Sequence, residues 1–456
     1  MNFRYTSVGF YACVGVSIPL YIGLIYFTPR SEFTWLISEF GVLFLLYFIS
    51  LWLLLPDKTS QVTKPIPFYL SPTLLIGIGI LLRLVLLPAT PNLSDDYFRF
   101  IWDGRLLTQG IPPFLYTPEQ LIELSKSVKI EGLSEELFKG MNSPGYFTIY
   151  PPVNQLIFWL GAISSPHSIQ GSIWVMKFCL LLAEIGTLFL LKNLLSHLKL
   201  PSVWIALYAL NPLVIVELNG NLHFEALLIF FLLLTIWTLL KYPYWVASLP
   251  FALAIASKLL PLMFFPLFIR RLGWGKTIGF SLLSFLWLGL MFLPLLDLNT
   301  LFHLFESVGL YFQSFEFNAS MYYLVRWWGY QEYGYNIIQS AGKNLAAIVF
   351  VLIWVFVVLE KQPQIGNLPN AMMWILLIYF TGASIVHPWY VCTLVALCSL
   401  SSYRFPILWT ALLPLTYFTY ITEAYTENLW LVGLEYVLLW SFIAWELWKP
   451  KQIKIS

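Results

Sequence analysis

The stretch Pro152-Val-Asn-Gln-Leu-Ile-Phe-Trp-Leu-Gly-Ala-Ile-Ser-Ser165 decides the topology of this chain. Counted as a membrane span, it reverses the sidedness of everything that follows. Counted as a helix lying along one interface, it leaves the parity of the other spans intact. As a helix its 14 residues rise about 21 Å, short of a hydrocarbon core about 30 Å thick. Pro151 and Pro152 precede its apolar run and suit a first helical turn, where a backbone N–H has no partner to lose. The segment is therefore read as an interfacial helix.

Outward from it, apolar runs recur along the whole chain, roughly at 7–27, 34–55, 70–88, 172–191, 201–216, 222–240, 243–256, 258–269, 277–296, 344–360, 370–386, 388–401, 405–421 and 429–447. Of the 456 residues, 59% are hydrophobic and only 11% charged, against about 25% charged in soluble domains. A soluble globular protein is excluded. The expectation is an all-α, polytopic transmembrane helical bundle of about 14 spans, with residues 1–456 as a single membrane-embedded domain.

Charge parity sets the orientation. With 152–165 on the interface, 14 basic residues, among them Arg4, Lys58, Lys64, Arg270, Arg271, Lys449, Lys451 and Lys454, share one side with only Asp57 and Glu360. The opposite side collects 9 basic and 17 acidic residues. This positive-inside bias predicts a multi-pass protein of the cell (inner) membrane with both termini cytoplasmic. Segment 89–168, an outer loop with juxtamembrane helices, and a second outer loop at 297–343 then face outward. The net charge of +2 carries no bias toward nucleic acid.

Three helix pairs, 201–216 with 222–240, 243–256 with 258–269, and 370–386 with 388–401, are too short to span untilted, so their outer junctions are expected below the headgroup plane. The alternative for the 243–269 stretch is a single tilted helix. The junctions hold Glu217-Leu-Asn-Gly-Asn221-Leu-His223-Phe-Glu225, Ser257-Lys258 and His387-Pro-Trp-Tyr390. Ionisable groups at membrane depth are costly and usually line a cavity.

The first outer segment opens Ser94-Asp-Asp-Tyr-Phe-Arg-Phe-Ile-Trp-Asp-Gly-Arg105. Asp95 or Asp96 serves either as a helix cap or as site chemistry. Arg99 shares a face with acids at i±4 spacing, which suits an exposed ion pair or a site for sugar hydroxyls and phosphate. The mixed charges of 119–140, including Lys126, Lys129 and Glu131, read as a solvated surface. His167 and His197 lie in short polar loops, whereas His223 and His387 sit at matching junctions. Lys258 reads as a snorkelling cation or as a phosphate ligand. The four cysteines lie in apolar runs and read as core residues. No zinc spacing and no glycine-rich nucleotide loop is present, so no metal, cofactor or cytoplasmic nucleotide donor is expected.

These motifs, with Gly110-Ile-Pro-Pro-Phe114, Tyr150-Pro-Pro-Val-Asn-Gln-Leu156, Asn211-Pro-Leu-Val-Ile-Val-Glu217, Ala256-Ser-Lys-Leu-Leu-Pro261 and Val386-His-Pro-Trp-Tyr390, resemble the GT-C superfamily of integral-membrane glycosyltransferases, closest to its bacterial mannosyltransferase-like branch. The resemblance implies a GT-C-like fold and inverting transfer of a hexose, mannose favoured, from a polyprenyl-phosphate sugar donor to a glycan or lipid acceptor hydroxyl on the extracytoplasmic side. It implies Asp95 or Asp96 as general base, with Arg105, Lys258 and His387 on the donor phosphate. Glu217, Asn221, His223, Glu225 and Tyr150 would line the sugar or acceptor pocket, among membrane lipids. The competing reading is a transporter or flippase for a lipid-linked or small polar substrate; against it stand the lack of an internal repeat and the gathering of polar residues on one side. A glycan polymerase or ligase would differ in substrate more than in architecture.

Overall fold

The computed structural model describes residues 3–54, 71–125, 132–297, 299–422 and 424–449. Asp57, Lys58, Lys64, Lys126, Lys129, Glu131, Lys451 and Lys454 lie outside them. The described residues form helices and turns, with one isolated bridge between Phe317 and Ile385 in place of any strand. Among the described residues, six helices are long and apolar enough to cross a bilayer: Ser7–Phe27, Phe33–Leu54, Ile169–His197, Trp274–Leu295, Ile338–Leu359 and Leu429–Trp448. A seventh span arises if Ser202–Ala209 and Pro212–Gly220, bent 53° apart, are counted together. Pro72–Leu86, Tyr244–Ser257, Pro388–Cys398 and Phe405–Ile421 are shorter apolar helices. The expected count of about 14 spans included such short and broken segments, which fall below spanning length. The chain is an all-helical membrane protein.

It divides into two compact units, one of residues 1–93, 181–226 and 387–456, the other of residues 94–180 and 227–386. In the first unit, Phe33–Leu54 and Pro72–Leu86 both pack on Phe3–Ile22. Ser71 starts Pro72–Leu86 by accepting the Leu74 N–H at 3.2 Å, an N-cap followed by proline at the first helical position. The break after Ala209 has the same local logic. Asn211 accepts the Val214 N–H at 3.2 Å, and Pro212, lacking an N–H, opens the new helix in a changed direction.

In the second unit, Pro152–Ser164 is a 13-residue helix lying against Asp96–Thr108. Its length is that expected of a non-spanning helix. Gly104 permits the approach: a Cβ there would sit 2.2 Å from the Phe158 carbonyl oxygen. Tyr244–Ser257 packs on both Pro152–Ser164 and Trp274–Phe292. The helix ends at Lys258, whose backbone is extended, and the chain resumes as a tight turn Leu260–Phe264 and a helix Phe265–Leu272. The 243–269 stretch is thus a broken pair, not one tilted helix.

Candidate active site

In the second unit the acidic stretch forms helix Asp96–Thr108. Ser94 Oγ accepts the Asp96 N–H at 3.3 Å, the first N–H of the helix, and Asp95, at the N-cap position, makes no side-chain cap bond. Both aspartates are half-buried. Asp96 Oδ1 accepts from the Asn142 amide at 3.2 Å.

One turn further on, Arg99 and Asp103 form a buried pair at 2.8 Å. Asp103 also accepts from the Thr148 hydroxyl at 2.5 Å and from the Gln155 amide at 3.0 Å, while Arg99 donates to the Tyr146 carbonyl at 2.9 Å. Of the two readings of this face, an exposed ion pair or a site for sugar hydroxyls and phosphate, the first does not hold, because the pair is covered. A buried pair holds only when its remaining lone pairs and protons are matched, and the segment Tyr146–Gln155 supplies the partners. Tyr150 packs edge-on against Phe100 and Phe158, with ring centroids 5.0 and 5.4 Å away.

Arg105 is buried and donates from Nη1 to the Gly132 carbonyl at 2.5 Å; its Nε has no hydrogen-bond partner among the described residues. Burial pushes its pKa down from the usual value, opposed by the nearby Glu136 carboxylate. Lys258 is half-buried at its helix end. Glu135 and Lys139 form an exposed pair, as a solvated surface should. His303 in the second polar segment stacks on Phe147 at 3.9 Å and holds the Phe114 carbonyl through Nδ1 at 2.8 Å, a packing role. Glu316 there gathers Tyr322, Arg326 and Asn336, and burial, reinforced by this carboxylate, raises the Tyr322 pKa.

The first unit holds the other candidates. Ile215–Gly220 is a π-helical turn, a form that concentrates at functional sites. Leu222 follows with φ +62°, a left-handed conformation costly for a branched side chain. This turn buries Glu217, Asn219, Asn221, His223 and Glu225. Glu217 meets the Tyr417 hydroxyl through one oxygen and lies 3.2 Å from His223 Nε2 through the other. The His223 ring stacks on Trp389 at 3.7 Å, and His387 stacks on the same indole at 4.4 Å. Both amide atoms of Asn219, and Nδ2 of Asn221, are buried without a hydrogen-bond partner among the described residues. Such atoms cost free energy unless water or a ligand meets them. Asn221 Oδ1 accepts the Leu93 N–H at 3.2 Å.

Of the residues singled out in the sequence, Glu217, His223 and His387 come together around Trp389, with Asn221 and Glu225 on the adjoining turn. Asp95, Asp96, Arg105, Tyr150 and Lys258 belong to the other unit. Sequence reasoning gave Asn219 only as a junction residue, and it passed over Tyr417 and the buried Arg83–Glu184 pair. The signal for the last was available: a lone arginine and a lone glutamate, each inside an apolar run.

Helical content and apolar helix length together define an all-helical integral-membrane protein. The alpha-(1->6)-mannopyranosyltransferase family, through its N-terminal domain, matches residues 24–272, more than half of the chain, and the chain belongs to that family. It is therefore a glycosyltransferase of a mannosyltransferase family, acting on a sugar donor and an acceptor, and not a transporter. The matched region contains every quoted motif except Val386–Tyr390. No curated protein shows a significant match to the chain.

Proposed function

We propose that the protein transfers a mannosyl residue from a polyprenyl-phosphate donor to a glycan or lipid hydroxyl on the extracytoplasmic side of the cell membrane, with inversion. The observation that carries this reading is the polar turn Ile215–Gly220 in a broken membrane helix. There a carboxylate, an imidazole and unpartnered amides lie beside an indole. Mixed donors and acceptors next to an aromatic face suit a sugar ring. A lipid-borne phosphate reaches such a depth without leaving the bilayer.

In the proposed reaction, Asp95 or Asp96 accepts the proton of the acceptor hydroxyl as its oxygen bonds to the anomeric carbon. The anomeric carbon–phosphate oxygen bond breaks on the opposite face, and the electron pair leaves with the polyprenyl phosphate. Arg105, Lys258 and His387 supply positive charge and hydrogen bonds to the departing phosphate. Glu217, Asn221, His223, Glu225 and Tyr150 hold the sugar or the acceptor.

The test incubates purified protein with labelled polyprenyl-phosphate hexoses and a membrane lipid extract, comparing wild type with Asp95→Asn and Asp96→Asn. Transfer of mannose by the wild type and its loss in one of the two variants is expected. Full transfer by both variants overturns the assignment of the base, and no transfer by the wild type overturns the donor.

A further inference from the structure

A membrane helix that breaks must find partners for the carbonyls its break releases, because the bilayer core offers no water. In the first unit the break lies between Ala209 and Pro212. The Leu207 carbonyl accepts from the Tyr47 hydroxyl at 2.8 Å, and the Ala209 carbonyl accepts from Arg83 Nη1 at 2.9 Å. Nη1 also reaches the Gly79 carbonyl at 2.9 Å on its own helix, and Nε pairs with Glu184 at 2.8 Å. Glu184 in turn accepts from the Tyr208 hydroxyl at 2.5 Å. Arg83 and Glu184 are fully buried.

The same segment grips the chain again beyond the break. Leu93, ten positions after Arg83, donates its N–H to Asn221. Residues 83–93 thus act as a splint along 209–221, fixed at Ala209 by a guanidinium and at Asn221 by a backbone amide. Gly79 lets the splint lie close: a Cβ there would meet the Ala209 carbonyl oxygen at 3.1 Å. Between the two anchors lies the turn bearing Glu217 and Asn219.

We infer that Arg83 and Glu184 are positioning residues: their buried ion pair holds the broken helix at the angle that presents Glu217, Asn219 and Asn221 to the sugar. This rests on the proposal that this turn lines the sugar site. An ion pair kept only for stability is often replaceable by apolar side chains at little cost, so stability and positioning are separable here.

The test uses the full-length protein with Arg83→Met/Glu184→Met, and with Arg83→Lys, which keeps a cation beside Glu184 and an N–H for the Ala209 carbonyl. Three quantities are read: thermal stability, kcat and KM for mannosyl transfer, and hydrogen exchange of the amides of 206–221. The expected result for the double variant is faster exchange confined to 206–221. Its kcat falls at least about tenfold, since small misplacements carry large rate costs, with KM changed less than about threefold. Arg83→Lys is expected to restore kcat to within about fivefold of wild type, the effect of one weakened hydrogen bond. Unchanged local exchange, or wild-type kcat in the double variant, overturns the inference. Should the double variant fail to fold, Glu184→Gln, which keeps the side chain's shape and removes its charge from Arg83, decides in its place: exchange of 206–221 indistinguishable from wild type beside an unchanged kcat overturns the inference. Should the wild type transfer nothing from a polyprenyl-phosphate hexose, the proposed donor falls and the exchange measurement still decides the role of the pair.

Discussion

Asn221 and Leu93 are joined by a hydrogen bond of 3.2 Å from the Leu93 backbone N–H to the Asn221 side-chain oxygen. The bond ties the polar turn to the backbone two residues before Asp95. Asn221→Ala leaves a buried N–H unmatched, at about 1–3 kcal/mol, and releases one end of the 83–93 splint. The expected outcome is a modest fall in melting temperature and a loss of transfer of about 10- to 100-fold, read by radiolabelled product formation. Wild-type transfer in this variant would detach the turn from the reaction.

Gly104 lies under the Phe158 carbonyl, where a Cβ would stand 2.2 Å from the oxygen and 2.6 Å from its carbon. Both obstacles are backbone, so no side-chain rotation relieves them. Gly104→Ala should push helices Asp96–Thr108 and Pro152–Ser164 apart at a cost of about 1–3 kcal/mol. A thermal-melt shift in detergent measures it, and an unshifted melt would show that the two helices tolerate separation.

Asp103 and the pair Asp95–Asp96 lie on one short stretch but should respond oppositely to substitution. Asp103→Ala strands the buried Arg99 guanidinium, at about 3–5 kcal/mol, and should lower both yield and melting temperature. Asp95→Asn and Asp96→Asn should leave the melt near wild type. Loss of the base among them should cut transfer by about 10²- to 10⁴-fold. Parallel melts and assays of the three variants separate a structural acid from a chemical one.

Trp389 carries two imidazoles, His223 at 3.7 Å and His387 at 4.4 Å between ring centroids. Trp389→Ala removes both stacks, each about 0.5–1.5 kcal/mol, and frees His223 beside Glu217. A raised KM for the donor is expected, with Trp389→Phe retaining most of the affinity. Equal kinetics in Ala and Phe variants would show that the stack has no part in substrate binding.

Sidedness has its own measurement. A cysteine at exposed Lys139 is expected to react with an impermeant maleimide from outside intact cells. Labelling only after the cytoplasmic side is opened would reverse the proposed orientation.

The helical, membrane-embedded character of this protein was legible because composition and apolar run length are local properties, each sufficient by itself to demand a bilayer and a helix. The short stretch 152–165 was legible for the same reason: its length and its two prolines set its limits, and a 13-residue helix is found there. Junction residues were legible too, since a glutamate, two asparagines and a histidine inside an apolar run mark where a span fails. Span count was less so, because a hydropathy run does not reveal that Asn211-Pro212 turns the chain through 53° or that the chain leaves the helix at Lys258.

What the sequence alone determined is therefore the solvent, the secondary structure and the polar places where chemistry is affordable. What only the tertiary structure decided is which of those polar groups are spent on structure. Arg99 and Asp103 share a short helix with Asp96, and it is Thr148 and Gln155, 45 and 52 positions beyond Asp103, that complete the partners of the Asp103 carboxylate. Arg83 and Glu184, 101 positions apart, became a single splint for the turn at Glu217. A charge in a low-dielectric interior is defined by the partner that compensates it, and such partners are brought together by packing across distances that no local pattern encodes.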